Sequence, residues 1–273
     1  MRPVDLLIVS CACVYVVVSL RVSAETARAI RLGPRAASFI AGLAIIGAAL
    51  SERVDELAAE TLSAHMAQHL VLWLVVPPLL IWGRPLAVLA LAASADRRRF
   101  LRSLETDVSG VRRVVTHPLV VWGATAAVLW GWHLPRMYQG AIGDELVHAA
   151  EHALFLGAGL LWWSVVIGPM QRRRIGRGAV IVLVFATMVQ SSWLAMVLSL
   201  VDRVVYPVYV RADTAAALRD QQTAGVAMWV TMSIVFAIVF ALVFLRWFVE
   251  LEARRRARDA TRDAAGTAEM VSG

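Results

Sequence analysis

The 273-residue sequence contains no lysine, only two cysteines and few charged residues, which make up 17% of the chain. That charge is too little to cover the surface of a soluble protein, since 59% of the residues are hydrophobic against about 45–50% in globular proteins. The net charge of +7 would suit a nucleic-acid-binding domain, but the arginines lie between long apolar runs rather than in one soluble region. With a mean hydropathy of +0.67, the composition argues against both classes and indicates an all-α polytopic membrane protein.

Seven apolar segments approach the roughly 20 residues that a membrane-crossing helix needs. They cover residues 4–20, 36–51, 61–83, 114–135, 146–170, 178–201 and 221–245. Another stretch, residues 85–95, is too short to cross and runs into Asp96 and three arginines, which predicts a helix lying in the membrane interface. We therefore expect one domain over residues 1–250, a bundle of seven transmembrane helices. A cytoplasmic tail over residues 251–273 is expected to be a frayed helix or disordered.

The arginines alternate between the two sides of this bundle. Of the 27 arginines, 21 follow the first, third, fifth or seventh apolar segment. Because short cytoplasmic loops carry an excess of basic residues, the N-terminus is predicted outside and the C-terminus in the cytoplasm. A cleaved signal peptide over residues 1–24 is a less favoured alternative, since Arg2 and Asp5 cancel before the apolar run and the arginines follow it.

All six histidines lie within the apolar segments or at their ends. Five of them share the predicted outer side: His65, His69, His133, His148 and His152. The sixth, His117, lies at the predicted inner end of the fourth segment and is expected to cap that helix or lie in the interface. Ionisable groups within a membrane are costly and usually mark function, so five histidines at one depth predict a metal or haem site.

The spacing of these histidines supports a metal site. His65 and His69, like His148 and His152, are four residues apart, so each pair projects from one helix face with Cβ atoms about 5–6 Å apart. Two imidazoles so placed can bind one cation, and Glu151 can orient a ring or join as a ligand. A single site requires the two pairs to face each other.

Thioether donors at the same depth favour Cu(I) over zinc. The predicted ligand set is His65, Met66, His69, His133, His148, Glu151 and His152. The side chains expected around it are Gln68, Met137, Asp220 and Gln221.

Two further features are expected to be structural. Cys11 and Cys13 point about 200° apart around a helix, which argues against a disulfide or a shared metal, and are expected to be small buried side chains. Pro77 and Pro78 are predicted to kink or break the third segment and to free backbone carbonyls that need other partners.

Several short motifs occur in an order that resembles the multi-span CtaG-type cytochrome c oxidase assembly family. They are His65-Met66-Ala67-Gln68-His69, Pro77-Pro78-Leu79-Leu80, His117-Pro118, Trp132-His133-Leu134-Pro135, His148-x-x-Glu151-His152, the Tyr206/Tyr209 region and Asp220-Gln221. The resemblance covers roughly residues 35–245. It implies a seven-span protein of the bacterial plasma membrane that assembles a haem-copper oxidase, through maturation of the copper centre of subunit II.

The sequence leaves three functions open. The leading hypothesis is an assembly factor that holds copper at the outer cluster and passes it to an oxidase subunit. A membrane electron carrier is the first alternative, with one histidine of the third segment and one of the fifth as axial haem ligands. A transporter of copper or another cation is the second. We expect no enzymatic activity, because no nucleophile–base arrangement and no phosphate-binding glycine loop is evident.

Overall fold

A computed structural model describes residues 3–94, 109–168, 175–211 and 213–272, with residues 260–272 described by their backbone alone. Within these ranges the chain forms helices and no β-strand, as the sequence predicts. The helices of the first range are α1 (Pro3–Ser19), α2 (Ala24–Ala29), α3 (Leu32–Ala49), α4 (Glu52–Glu60), α5 (Leu62–Leu70), a π-helical turn (Val71–Val75), α6 (Val76–Gly83) and α7 (Pro85–Ala92). The helices of the other ranges are α8 (Ser109–Val115), α9 (Pro118–Trp132), α10 (Pro135–Gly143), α11 (Glu145–Val166), α12 (Arg177–Leu200), a 3-10 turn (Pro207–Tyr209) and α13 (Thr214–Ser272).

Five helical stretches in the described part of the chain are long and apolar enough to cross a membrane. They are α3, the stretch from α5 to α7, α11, α12 and the first part of α13, Thr214–Asp259. A sixth is present if α8 and α9, which meet at a bend of 60°, count as one span. The segment predicted at residues 4–20 lies on α1, an apolar helix of 17 residues. The protein is therefore an all-helical membrane protein with five, or up to six, candidate spans.

The bend between α8 and α9 has a local cause. Pro118 lacks an N–H and starts α9, and the residue before a proline is disfavoured in helical conformation. His117 is that residue, and its Nδ1 accepts a hydrogen bond from the Leu119 N–H at 3.3 Å. The expectation that His117 caps this helix is confirmed.

The third predicted segment continues through its two prolines, so of the predicted effects of Pro77 and Pro78 the break is absent and the freed carbonyl is present. The chain widens into the π-helical turn just before them, and α6 follows without a gap. Pro77 leaves the carbonyl of Trp73, four residues earlier, without its helical donor. The indole Nε1 of Trp163 on α11 donates to that carbonyl at 3.0 Å, so the freed acceptor ties the two helices together.

Two apolar cores hold the helices together. One joins α1, α3, α6 and α7 around Tyr15 and Phe39, and the other joins α5, α9, α11, α12 and α13 around Trp162 and Phe236. The expectation that Cys11 and Cys13 are buried is wrong, because Cys13 is exposed and Cys11 is only partly buried. Their opposite directions on α1 allow only one of them to face the core. The short helix predicted at residues 85–95 is present as α7, which belongs to the candidate span from α5 to α7, whereas residue 95 and the arginines at 97–99, 102 and 172–174 lie outside the described residues.

A glycine permits the closest approach of α11 to the third segment. A Cβ at Gly159 would lie 2.8 Å from Pro77 Cγ, 2.8 Å from Trp73 Cδ1 and 3.0 Å from the Trp73 carbonyl oxygen. We predict that Gly159→Ala lowers the free energy of unfolding in mixed micelles by about 1–3 kcal/mol, because the rigid proline and indole rings must move apart.

Gly157→Ala is the matched control on the same helix. A Cβ at Gly157 meets no atom within 4 Å, and alanine is the better helix former. We expect this variant to be neutral or slightly stabilised, and equal losses in the two variants would contradict the close contact at Gly159.

Candidate metal centre

The two predicted histidine pairs face each other at one end of the bundle. His65 and His69 project from α5, and His148 and His152 project from the first turns of α11. The ring centroid of His65 lies 5.2 Å from that of His148 and 6.2 Å from that of His152, and the rings of His69 and His152 are 5.4 Å apart. The geometric condition for a single site is therefore met.

Glu151 lies among these imidazoles. The Nε2 atoms of His65 and His69 are 3.0 Å apart, and the carboxylate approaches both of them, with Oε2 3.4 Å from His65 Nε2 and Oε1 3.7 Å from His69 Nε2. Potential ligand atoms lie within 4.8 Å of one another in two overlapping triads, His65–His148–His152 and His65–His69–Glu151. We call His65, His69, His148, Glu151 and His152 the histidine cluster.

The cluster is buried, yet many of its polar atoms lack hydrogen-bond partners. Glu151 is 0% exposed, and within the described part of the chain neither of its carboxylate oxygens has a hydrogen-bond partner. The same holds for His69 Nδ1 and for the Nε2 atoms of His148 and His152. Native proteins pair nearly all buried polar atoms, so such a concentration of buried polar atoms without partners is typical of a ligand site. A metal ion coordinated by imidazole and carboxylate would satisfy them together.

His133 adds a further imidazole beside the cluster. Its Nδ1 lies 2.6 Å from the carbonyl oxygen of Leu129, and because a carbonyl only accepts, Nδ1 carries the proton. The lone pair is therefore on Nε2, which is buried without a hydrogen-bond partner among the described residues. The ring of Phe155 lies 6.4 Å from that of His133 and stacks on His69 at 4.2 Å. His133 thus has the tautomer that a metal ligand requires.

Three of the polar residues predicted around the ligands hold the surrounding backbone. Asp220 accepts hydrogen bonds from the N–H groups of Leu62 and Ser63, at 2.7 and 3.4 Å, and from the Ser63 hydroxyl. The Gln68 amide donates to the Ala49 carbonyl and to the Asp55 carboxylate, each at 2.8 Å. The Gln221 amide accepts a hydrogen bond from the Val205 N–H at 2.7 Å and donates one to the Arg203 carbonyl at 3.2 Å. They position α5 and the 201–213 loop.

Asp220 offers a test of this positioning role. Thr61 precedes α5 but makes no side-chain cap, so Asp220 from α13 caps the helix that carries His65 and His69. We predict that Asp220→Ala weakens copper binding by up to about tenfold, although no ligand is removed, because loss of a helix cap costs about 1 kcal/mol and releases the turn of α5 that carries His65. Competition with a chromogenic Cu(I) chelator measures that affinity.

Asp202→Ala is the matched control, since Asp202 is exposed in the loop near the same end of the bundle. We expect its copper affinity to equal that of the wild type. An unchanged affinity in Asp220→Ala would show that capping α5 is irrelevant to the site.

The two methionines have different surroundings. Met66 is buried in the apolar core that also contains Leu62 and Leu70. Met137 is 53% exposed, which contradicts its predicted place beside the ligands. Pro135 starts α10 as a separate helix, and on that helix Tyr138 and Ala141 face inward while Met137 faces outward.

Three tyrosines cover the cluster, and of these only the region of Tyr206 and Tyr209 carried a sequence signal. The hydroxyls of Tyr138 and Tyr209 are 2.8 Å apart, and the Tyr209 hydroxyl donates to the Ala58 carbonyl at 2.9 Å and lies 3.5 Å from His65 Nδ1. The Tyr206 hydroxyl donates to the His133 carbonyl at 2.9 Å. Burial raises the pKa of the Tyr206 and Tyr209 phenols, so they stay protonated hydrogen-bond donors.

A single ion fits this arrangement better than haem does. The imidazoles of the two helices are close to one another, with the centroids of His65 and His148 5.2 Å apart and those of His69 and His152 5.4 Å apart. A porphyrin between axial histidines from α5 and α11 would have to separate rings that are now in contact. An ion needs only the lone pairs that already converge.

Comparison with known proteins agrees with the resemblance in the motifs. The family model of the cytochrome c oxidase caa3 assembly factor (Caa3_CtaG) matches residues 13–250. No curated protein and no solved structure matches the chain. The matched region contains the histidine cluster, His133, Asp220 and the covering tyrosines. The match extends over most of the 273 residues, and the chain therefore belongs to the cytochrome c oxidase caa3 assembly factor family.

Proposed function

We propose that this protein holds a copper ion at the histidine cluster and passes it to the copper centre of oxidase subunit II. The observation that carries the proposal is the convergence of four buried or half-buried imidazoles and a buried carboxyl group, most of which have polar atoms without hydrogen-bond partners among the described residues. Membership of an oxidase assembly family supports copper as the cargo, because the resemblance implies maturation of a copper centre, and imidazole ligands suit copper. His133 Nε2 also lacks a hydrogen-bond partner among the described residues, but His133 lies outside both triads.

The side of the membrane is part of the same proposal. We count α1 and the bent pair α8–α9 as full spans, which gives seven, one domain over residues 1–250 and a C-terminal tail in the cytoplasm. The arginine distribution then puts the N-terminus and the histidine cluster on the outer side of a bacterial plasma membrane. The copper centre of subunit II, as the family resemblance implies, lies on that side.

Copper exchange requires the tyrosine cover to move. Tyr206 and Tyr209 belong to the 201–213 loop, which Gln221 holds through two hydrogen bonds. A docking subunit would have to break these contacts, together with the hydrogen bonds of the tyrosine hydroxyls to Ala58, His133 and Tyr138, before its own ligands could reach the ion. Transfer through ligand exchange needs no unfolding of the bundle.

Copper transfer in vitro tests the proposal. The full-length protein is purified from copper-supplemented cells, its copper content is measured by mass spectrometry, and it is mixed with the copper-free soluble domain of subunit II. We expect bound copper on the purified protein and its appearance on the subunit II domain, while free copper is trapped by a chelator. Absence of bound copper, or a Soret band in its place, would contradict the proposal.

A further inference from the structure

A cavity of about 680 Å³ lies at the opposite end of the bundle from the histidine cluster, where α8 meets α9 and α12 begins. Arg113, Thr116 and His117 line one part of it. Leu119, Trp122, Ala179, Val182, Leu183 and Ala186 line the rest. The cavity is therefore basic and polar at one end and apolar along its length.

The polar end matches an anion. Arg113 supplies a full positive charge, and no residue among the described lining residues is acidic. His117 uses Nδ1 to accept from the Leu119 N–H, so the proton of the neutral ring is on Nε2, which is a donor. Gly176 precedes α12 without a side-chain cap, and its turn also lines the cavity. An arginine, an imidazole N–H and a helix start together suit a phosphate group.

The apolar wall matches a hydrocarbon chain. Leu119 is 71% exposed and Val182 is 65% exposed, and Trp122, on the same helix as Leu119, is 37% exposed and lines the same cavity. Val182 belongs to α12, a candidate span, and Leu119 and Trp122 belong to the bent candidate span. In a membrane these surfaces face acyl chains rather than water.

We propose that this cavity is a binding site for an anionic phospholipid. The phosphate lies at Arg113 and His117, and an acyl chain runs along Leu119, Trp122 and Val182. Basic pockets between membrane helices are suited to acidic headgroups, and the apolar wall distinguishes this ligand from free phosphate. The site is remote from the histidine cluster, so the proposal does not depend on copper binding.

Native mass spectrometry of the full-length protein tests this site. The probes are dioleoyl phosphatidylglycerol and dioleoyl phosphatidylcholine, supplied at equal concentrations in detergent. We expect the wild type to retain phosphatidylglycerol in preference to phosphatidylcholine. Arg113→Gln should weaken retention of phosphatidylglycerol by about fivefold, the effect of one basic residue near an anionic lipid.

Arg112→Gln is the matched control, because Arg112 neighbours Arg113 on α8 but does not line the cavity. We expect retention equal to that of the wild type, and both variants should have the thermal unfolding temperature of the wild type in detergent without phosphatidylglycerol. Equal losses in the two variants would show general surface charge rather than a site and would overturn the proposal.

The acyl chain is tested separately. Trp122→Ala should lower retention of phosphatidylglycerol, while millimolar glycerol phosphate or inorganic phosphate should not displace the lipid from the wild type. Displacement by these soluble anions would identify a free-phosphate site, and equal retention of the two lipids would exclude headgroup recognition. Either result would overturn the proposal.

Discussion

Replacing His65 by alanine is expected to abolish copper binding. His65 belongs to both ligand triads, and its Nε2 lies within 3.4 Å of His69 Nε2 and Glu151 Oε2. Its loss breaks both triads at once, so the affinity for Cu(I) should fall by more than the roughly 10–100-fold that loss of an outer-shell partner costs. Chelator competition on the purified protein measures this fall, and oxidase activity of cells carrying the variant measures its consequence.

His117→Ala is the matched control for this prediction. His117 is the histidine at the other end of the bundle, where it caps α9. Its removal should cost about 1 kcal/mol of stability and leave copper affinity unchanged. Wild-type copper binding by His65→Ala would contradict the assignment of the cluster.

Replacing Glu151 by leucine is expected to change stability and copper binding in opposite directions. In the copper-free protein the Glu151 carboxyl is fully buried, and its oxygens lack hydrogen-bond partners in the described part of the chain. Removing an unsatisfied buried polar group in favour of an apolar one should raise the free energy of unfolding by about 1–3 kcal/mol. The same change removes a ligand from the triad with His65 and His69, so copper affinity should fall at least tenfold.

The pair of measurements separates a functional carboxylate from a structural one. Thermal or denaturant unfolding is compared with and without Cu(I), because a ligand stabilises the native state in proportion to its affinity. Glu145→Leu, an exposed glutamate at the start of the same helix, should alter neither quantity by more than a few tenths of a kcal/mol. Destabilisation of the copper-free protein by Glu151→Leu would show that Glu151 supports the fold.

The sequence was sufficient to predict which histidines on regular helices come together. His65 and His69, like His148 and His152, lie within single helices, so the spacing of each pair sets its face and the apolar segments set its depth. Met137 was predicted wrongly because α10 is a separate helix whose rotation the preceding segment does not determine. The predicted depth of Met137 in the membrane therefore did not determine whether its side chain contacts the histidine cluster.

Contacts across the bundle could not be predicted in the same way. Tyr138 and Tyr209 are 71 residues apart and meet only through the packing of α10 against the 201–213 loop. Asp220 was expected near the ligands, but its role as the cap of α5 depends on how α13 approaches that helix. The carbonyl freed by Pro77 was predictable, whereas the indole that satisfies it comes from another helix.

The length of an apolar segment alone also did not predict whether that segment forms one continuous helix. The segment predicted at residues 114–135 is split at His117 and Pro118 into two helices at 60°. The third predicted segment instead continues through Pro77 and Pro78, because a π-helical turn and Trp163 accommodate the missing hydrogen bond. Pro118 therefore marks a sharp bend between two helices, whereas the helical stretch continues through Pro77 and Pro78 because a neighbouring helix supplies the missing donor.

X-ray absorption at the copper edge of the purified full-length protein tests the central claim most directly. Coordination by the histidine cluster predicts a first shell of nitrogen and oxygen ligands at about 2.0 Å, with the outer-shell scattering that imidazole rings produce. The same spectrum of His65→Ala should lose intensity from bound copper. A protein that binds no copper, or a first shell without imidazole scattering, would contradict the account.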